Sequence, residues 1–156
     1  MDKNLENEKF MSKAIGLAKV ALSKGEVPIG AIVVSPDGNI IGRGSNRIEA
    51  RGCHLEHAEA RAVKSACKKV GGWRLDGCSL YVTLEPCVMC FGLIGLSRIK
   101  NIYFGAKSPI FGVGLTSDSA GQIYHNGLSI SGGLKAKECA DILKSFFRKA
   151  REKRRL

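Results

Sequence analysis

Four residues in two short segments of the sequence could form a metal centre with a proton-transfer group beside it. His57 and Glu59 stand two positions apart, and Cys87 and Cys90 follow in a Pro-Cys-Val-Met-Cys segment. Cysteines three apart on a helix lie on one side of it, and the positive end of the helix dipole favours their thiolates. With His57 as third ligand, a zinc ion would leave one tetrahedral position to water, which is typical of catalytic zinc sites.

Glu59 is better suited to move protons than to bind the same ion. Side chains two apart on a helix point in different directions, so Glu59 is not expected to ligate as His57 does. Two thiolates neutralise the charge of a zinc ion, so a water bound there is less acidic than in an all-histidine site. A nearby carboxylate must then take the proton, and the sequence predicts that Glu59 is this general base.

The combination of His-x-Glu with Pro-Cys-x-x-Cys is the established signature of zinc-dependent deaminases of nucleobases. Deamination uses a carboxylic group twice, to take a proton from water and to protonate the ring nitrogen and the departing ammonia. A structural zinc site with four protein ligands remains an alternative, because Cys53 and His54 precede His57 and could supply the fourth ligand. Only two residues separate the histidines, fewer than the ~3 to 5 usual for paired structural histidines.

Helices and strands are predicted to alternate around these motifs. Apolar residues at helical spacing predict a first helix from Met11 to Gly25, with a face of Met11, Ile15, Ala18 and Leu22. The pattern then predicts a β-hairpin over 29–41, a helix from His57 to Gly71, a strand over 79–83, and a helix whose first residue is Pro86 and whose opening turn carries both cysteines. A strand over 101–104, a long loop over 108–127, a strand near 128–131 and a helix from about Ala136 follow. This order predicts a three-layer α/β sandwich.

Composition and charge bound the function further. The 156 residues suit one domain, here taken as 1–156. The 25 Lys and Arg against 14 Asp and Glu favour either a polyanionic partner or a merely basic surface. From Lys135 onward, nine basic residues stand against three acidic ones, which suits either a track for nucleic-acid phosphates or a solvated tail. Without a run of ~18 apolar residues or a signal peptide, we expect no membrane association, a cytoplasmic location and reduced cysteines.

The sequence resembles bacterial-type tRNA-specific adenosine deaminases over roughly residues 9–151. The matching stretches are Gly25–Ala31, Gly44–Arg47, His57–Glu59, Trp73–Leu75, Leu80–Cys90, Ser97–Ile99, Phe104–Ala106 and Phe146–Arg148. A likeness of this extent is more specific than the His-x-Glu motif alone.

The resemblance implies a cytidine-deaminase-like three-layer α/β/α sandwich with a mixed central sheet, a homodimer, and hydrolysis of adenosine to inosine at the wobble position of a tRNA anticodon. It implies a tRNA anticodon stem-loop as partner, contacted by the basic C-terminal helix. It also implies that Asn46 hydrogen-bonds the flipped base or ribose, that Val27 and Ile29 flank the ring, and that backbone N–H groups near Glu85 and Ala58 line the pocket.

The sequence departs from the family pattern at the edges of the site. Cys53-His54-Leu55-Glu56 stands where relatives usually have Asp-Pro-Thr and a small residue, Phe91 replaces a small residue, and Ser108 takes the place of an acidic residue. Because these positions border the nucleic-acid face, a deaminase of free guanine or cytidine-type substrates remains an alternative, and so does a non-catalytic zinc protein that binds RNA.

Overall fold

A computed structural model describes residues 2–114, 119, 123 and 127–155. Its helices are α1 Lys3–Ser23, α2 Ile48–Arg51, α3 Ala58–Val70, α4 Val88–Leu96 and α5 Ala136–Arg154, with a 3₁₀ turn over His54–Glu56. Its strands are β1 Gly30–Val34, β2 Ile40–Ser45, β3 Ser79–Leu84, β4 Asn101–Ala106 and β5 Ser129–Ser131. In the described part of the chain, no helix is both long enough and apolar enough to span a bilayer.

The five strands form one mixed sheet in the order β2-β1-β3-β4-β5. The hairpin pairs β1 with β2 antiparallel, and β1 also pairs antiparallel with β3. The β3–β4 and β4–β5 pairs are parallel. A parallel neighbour needs a crossover connection, and α4 provides it between β3 and β4. The predicted three-layer α/β/α sandwich with a mixed sheet is confirmed.

Two apolar layers hold the helices on opposite faces of the sheet. One core contains side chains of α3 and α4 against the sheet, with Ala62 and Ile94 fully buried. The other contains side chains of α1 and α5, with Met11 and Cys139 buried against the opposite sheet face. The central strands β1, β3 and β4 are therefore covered on both sides, which explains why most of their residues are buried.

Helix α3 lies unusually close to β2. An added Cβ on Gly42 would stand 2.3 Å from the carbonyl oxygen of Ala62, and one on Gly44 would stand 2.2 Å from that of Ala58. Only glycine leaves room for the helix backbone at this distance, and the two glycines therefore determine how deeply α3 sits on the sheet.

Several predicted boundaries need correction. Helix α1 begins at Lys3 rather than Met11, because the Asp2 side chain accepts a hydrogen bond from the Asn4 N–H and caps two further, mostly polar turns. Leu22 is 41% exposed, and Ala21 takes its place in the buried face. Helix α4 begins at Val88, not at Pro86.

The loop before His57 contains two short elements that the sequence analysis did not predict, α2 and the 3₁₀ turn. Turns this short give too little periodicity for a pattern to be recognised. Of the predicted loop over 108–127, residues 115–118, 120–122 and 124–126 lie outside the described residues.

Candidate metal centre and active site

The candidate ligands stand at the N-terminal ends of two neighbouring helices. His57 is the N-cap of α3, with extended backbone at φ −60° and ψ 149°. Cys87 is the N-cap of α4, rather than a residue of its opening turn as predicted, and Cys90 lies in the first turn. A cap residue has non-helical backbone. The Cys87 sulfur therefore extends from the cap position and the Cys90 sulfur from the first helical turn, and both approach the same candidate metal position.

The three side chains converge. The Nδ1 atom of His57 lies 3.4 Å from the Sγ of Cys90 and 3.8 Å from the Sγ of Cys87. All three donor atoms lie within 4.8 Å of one another, the only such His, Cys, Asp or Glu group among the described residues. One imidazole and two sulfurs form a donor set that suits zinc, with room for a non-protein fourth ligand. The residues therefore fit the ion that the sequence predicts.

Glu59 lies beside this cluster in the first turn of α3, and 5% of it is exposed. Burial raises the pKa of Glu59 to about 7, although its own backbone and the Cys90 side chain donate hydrogen bonds that oppose the shift. A carboxyl with a pKa near neutrality can both accept and return a proton, which general acid–base catalysis requires.

Burial shifts the pKa values of two candidate ligands, Cys90 and His57. Burial raises the pKa of the Cys90 thiol, and the charges of Glu59 and Cys87 raise it further. The helix dipole alone therefore does not stabilise this thiolate, contrary to the sequence-based argument, and a bound cation would have to do so. Burial also lowers the pKa of His57, which keeps its imidazole neutral and suited to metal binding.

The predicted substrate-contacting side chains lie together at the end of the β1–β2 hairpin. Asn46 is buried, its Nδ2 donates to the carbonyl oxygen of Val27 at 3.2 Å, and its Oδ1 accepts from the N–H of Ile48. The Asn46 N–H donates to the carbonyl oxygen of Ile29, and both Val27 and Ile29 are half-buried. Asn46 thus ties the Val27–Ile29 segment to the start of α2.

Ala58 and Glu85 differ in what their backbones offer. Ala58 is the first residue of α3, a position whose N–H has no partner within the helix. The Glu85 N–H instead donates to the carbonyl oxygen of Ala106, so this N–H already has a protein partner. The buried Glu85 carboxylate accepts from the N–H groups of Ser108 and Gly114, and it therefore anchors the segment that follows β4.

Sequence reasoning missed the buried Glu26 and the anchoring role of Glu85, which hold the loops around the site. The fully buried Glu26 carboxylate accepts hydrogen bonds from the N–H groups of Glu49 and Ala50 at 2.9 Å and so caps α2. The available signal was an acidic residue beside an apolar strand, a place where burial demands hydrogen-bond partners.

Of the residues that depart from the family pattern, His54 touches the candidate centre, with its Nδ1 3.3 Å from the Nε2 of His57. Cys53 is exposed and accepts from the Leu55 N–H. Phe91 is buried in the core beside α3 rather than at the site. The position of His54 does not support its prediction as a fourth ligand, because it faces the ring nitrogen that points away from the sulfurs.

A mixed sheet covered by helices on both faces, with His, Cys, Cys and a buried acid at two helix N-termini, defines a cytidine-deaminase-like α/β protein. A family model of MafB19-like deaminases matches residues 5–151. A tRNA-specific adenosine deaminase of Streptococcus pyogenes is 41% identical over 156 residues, which covers 97% of this chain and 89% of the relative.

Two solved structures are also similar. One, from studies of A-to-I editing by tRNA:A34 deaminases at the wobble position of transfer RNA, is 38% identical and has a TM-score of 0.76, with 86% of this chain and 99% of the other covered. A guanine deaminase from Nitrosomonas europaea is 25% identical with a TM-score of 0.78, over 89% of this chain and 83% of the other. The chain belongs to the MafB19-like deaminase family and to the tRNA-specific adenosine deaminases.

Proposed function

We propose that this enzyme hydrolyses adenosine to inosine at the wobble position of a tRNA anticodon, with zinc held by His57, Cys87 and Cys90. The observation that carries the proposal is the convergence of these three donor atoms beside the buried Glu59 carboxyl. The likeness to tRNA-specific adenosine deaminases supplies the substrate, since the site alone suits any aminated base.

Glu59 is the proton carrier in this reaction. Zinc, when bound, supplies Lewis-acid activation of a water molecule near neutral pH. Glu59 accepts a proton from the attacking water and delivers it to the ring nitrogen next to the reacting carbon of the adenine. A second proton passes through the same carboxyl to the departing amino group, so adenosine and water give inosine and ammonia. The buried position of Glu59 keeps bulk water from competing for these protons.

Asn46, Val27 and Ile29 form the proposed contact surface for the nucleoside. The amide of Asn46 has two hydrogens and two lone pairs, and each of its polar atoms has one protein partner. Among the residues that the structure describes, one hydrogen and one lone pair of this amide therefore remain for the base or ribose. The apolar side chains of Val27 and Ile29 would pack against the ring, and the Ala58 N–H would contribute from the start of α3.

The nucleic acid is proposed to lie along the basic C-terminal helix. Residues 151–155 are exposed and include four basic residues, Arg151, Lys153, Arg154 and Arg155. Glu152 is the one acidic residue in the last turn of α5. Lys and Arg side chains in such a row attract phosphates without reading sequence. We further propose that residues 1–156 act as one deaminase domain, as a homodimer, in the cytoplasm, where tRNA is modified.

The test uses an anticodon stem-loop with adenosine at the wobble position, the zinc-loaded chain and inosine as the measured product. The Glu59→Gln variant should lose about 10²- to 10⁴-fold in rate, because Gln cannot carry a proton, while its zinc content stays at that of the parent. Glu8→Gln is the matched control, since Glu8 is exposed on α1, and it should retain the parent rate.

Parallel reactions with guanine, cytidine and free adenosine distinguish the remaining alternatives. Ammonia from a small substrate without inosine in the stem-loop would refute the tRNA proposal and favour a free-base deaminase. Stem-loop binding by a zinc-loaded parent that deaminates none of the substrates would instead show a non-catalytic zinc protein that binds RNA.

A further inference from the structure

The two ring nitrogens of His57 face different partners. Its Nδ1 points toward the sulfurs of Cys90 and Cys87, at 3.4 and 3.8 Å. Its Nε2 lies 3.3 Å from the Nδ1 of His54, and the two rings meet edge to face with centroids 5.5 Å apart. Because the ring holds its two nitrogens on different edges, His54 stands on the side of His57 that is remote from the candidate metal position.

This arrangement decides which nitrogen of His57 carries hydrogen. A neutral imidazole has one N–H and one lone pair, and a metal ligand must offer its lone pair. When Nδ1 faces the metal, Nε2 carries the hydrogen and needs an acceptor. We propose that His54 is a positioning residue, which accepts the Nε2–H of His57 through its own Nδ1 and so holds the Nδ1 lone pair of His57 toward the metal.

The backbone around the exposed His54 is tied to α3 and to the start of α2, which limits where its ring can lie. The His57 N–H donates to the carbonyl oxygen of His54, which closes the 3₁₀ turn His54–Glu56. The Glu56 side chain pairs with Arg61 of α3, and its carbonyl oxygen accepts from the Arg47 N–H. The turn is therefore held from both sides.

Metal-binding histidines almost always donate their second N–H to a fixed acceptor, usually a carboxylate, a backbone carbonyl or water, and loss of that acceptor lowers metal affinity about 10- to 100-fold. Here a second histidine takes that role. The inference rests on the proposed function, because both concern the same metal centre. It adds His54 to that centre, a residue that departs from the family pattern.

The experiment compares His54→Leu, which removes the acceptor, with His54→Asn, whose Oδ1 can accept at the place of Nδ1. Zinc affinity of the full chain is measured by competition with a chromogenic chelator. We expect about 10- to 100-fold weaker zinc binding for His54→Leu and a return to within a few-fold of the parent for His54→Asn. Leu55→Asn, a change at a 68% exposed neighbour, is the matched control and should bind zinc as the parent does.

Nitrogen NMR of the zinc-loaded chain gives a second readout, which is simple because the sequence has three histidines. We expect a metal-bound Nδ1 and a protonated Nε2 on His57, with the Nε2–H signal lost to solvent exchange in His54→Leu. Unchanged zinc affinity in that variant, or a metal-bound nitrogen on His54, would overturn the proposal. Neither readout needs catalysis, so a parent that binds zinc in this way but forms no inosine refutes only the proposed function.

Discussion

Gly44 is the position where a single methyl group should disturb the active site from outside it. A Cβ there would lie 2.2 Å from the carbonyl oxygen of Ala58 and 2.6 Å from the backbone nitrogen of Ala62, whereas real Cβ atoms essentially never approach other heavy atoms within 3.0 Å. Both neighbours are backbone atoms of α3. In Gly44→Ala the N-terminal half of α3 must therefore move away from β2 by about 0.8 Å, which is the difference between the 3.0 Å limit and the 2.2 Å separation from the Ala58 carbonyl oxygen.

This displacement has a cost in stability and a cost in catalysis. Overpacking of this kind typically lowers the free energy of unfolding by about 1–3 kcal/mol. The moving segment begins with His57 and carries Glu59, and a misplacement of about 1 Å at a reacting group can reduce a rate about 10²-fold. We therefore expect kcat to fall about 100-fold, together with weaker zinc binding, in a variant that still folds.

Urea unfolding of the zinc-loaded protein measures the first effect, and inosine formation at saturating stem-loop measures the second. Gly16→Ala is the matched control, because Gly16 lies inside α1 and an added Cβ has nothing within 4 Å. Alanine in an open helix interior should raise the free energy of unfolding by about 0.5–1 kcal/mol and leave kcat unchanged. Gly44→Ala with the stability and rate of the parent would show that α3 does not pack on β2 as described.

Two further predictions concern the borders of the site. A Cβ on Gly112 would lie 2.3 Å from the Oε1 of Glu85, so Gly112→Ala should displace the segment after β4 and raise KM for the stem-loop several-fold, with zinc content unchanged by metal analysis. In the C-terminal helix, Arg151→Ser with Lys153→Ser should weaken stem-loop binding uniformly. The slope of log Kd against log salt should flatten by up to about 0.7 for each phosphate that the variant no longer neutralises. An unchanged slope would show that Arg151 and Lys153 do not bind phosphates.

Much of the fold follows from local pattern. Strands β1, β3, β4 and β5 and helices α3 and α5 were predicted close to their observed positions, because apolar periodicity and turn residues such as Gly71 act over short stretches of chain. Strand β2 instead continues to Ser45, four residues beyond the predicted hairpin, because its later residues are glycines and polar residues that give no apolar pattern. The errors lie where a local signal was read too narrowly. Asp2 was available as a cap for α1, and Pro86 satisfied the preference for a first helical residue although the chain turns into α4 only after Cys87.

The residue types of the site and their spacing were determined by the sequence alone, since ligand chemistry and the roles of Glu59 depend on what the side chains are. Their meeting was decided by the tertiary structure. Helix α3 packs on β2 and β1, and β3, which leads into α4, is the next strand beside β1. This strand order brings the N-termini of α3 and α4 together. The burial that raises the pKa of Glu59 likewise arises from this packing, which no spacing along the chain encodes.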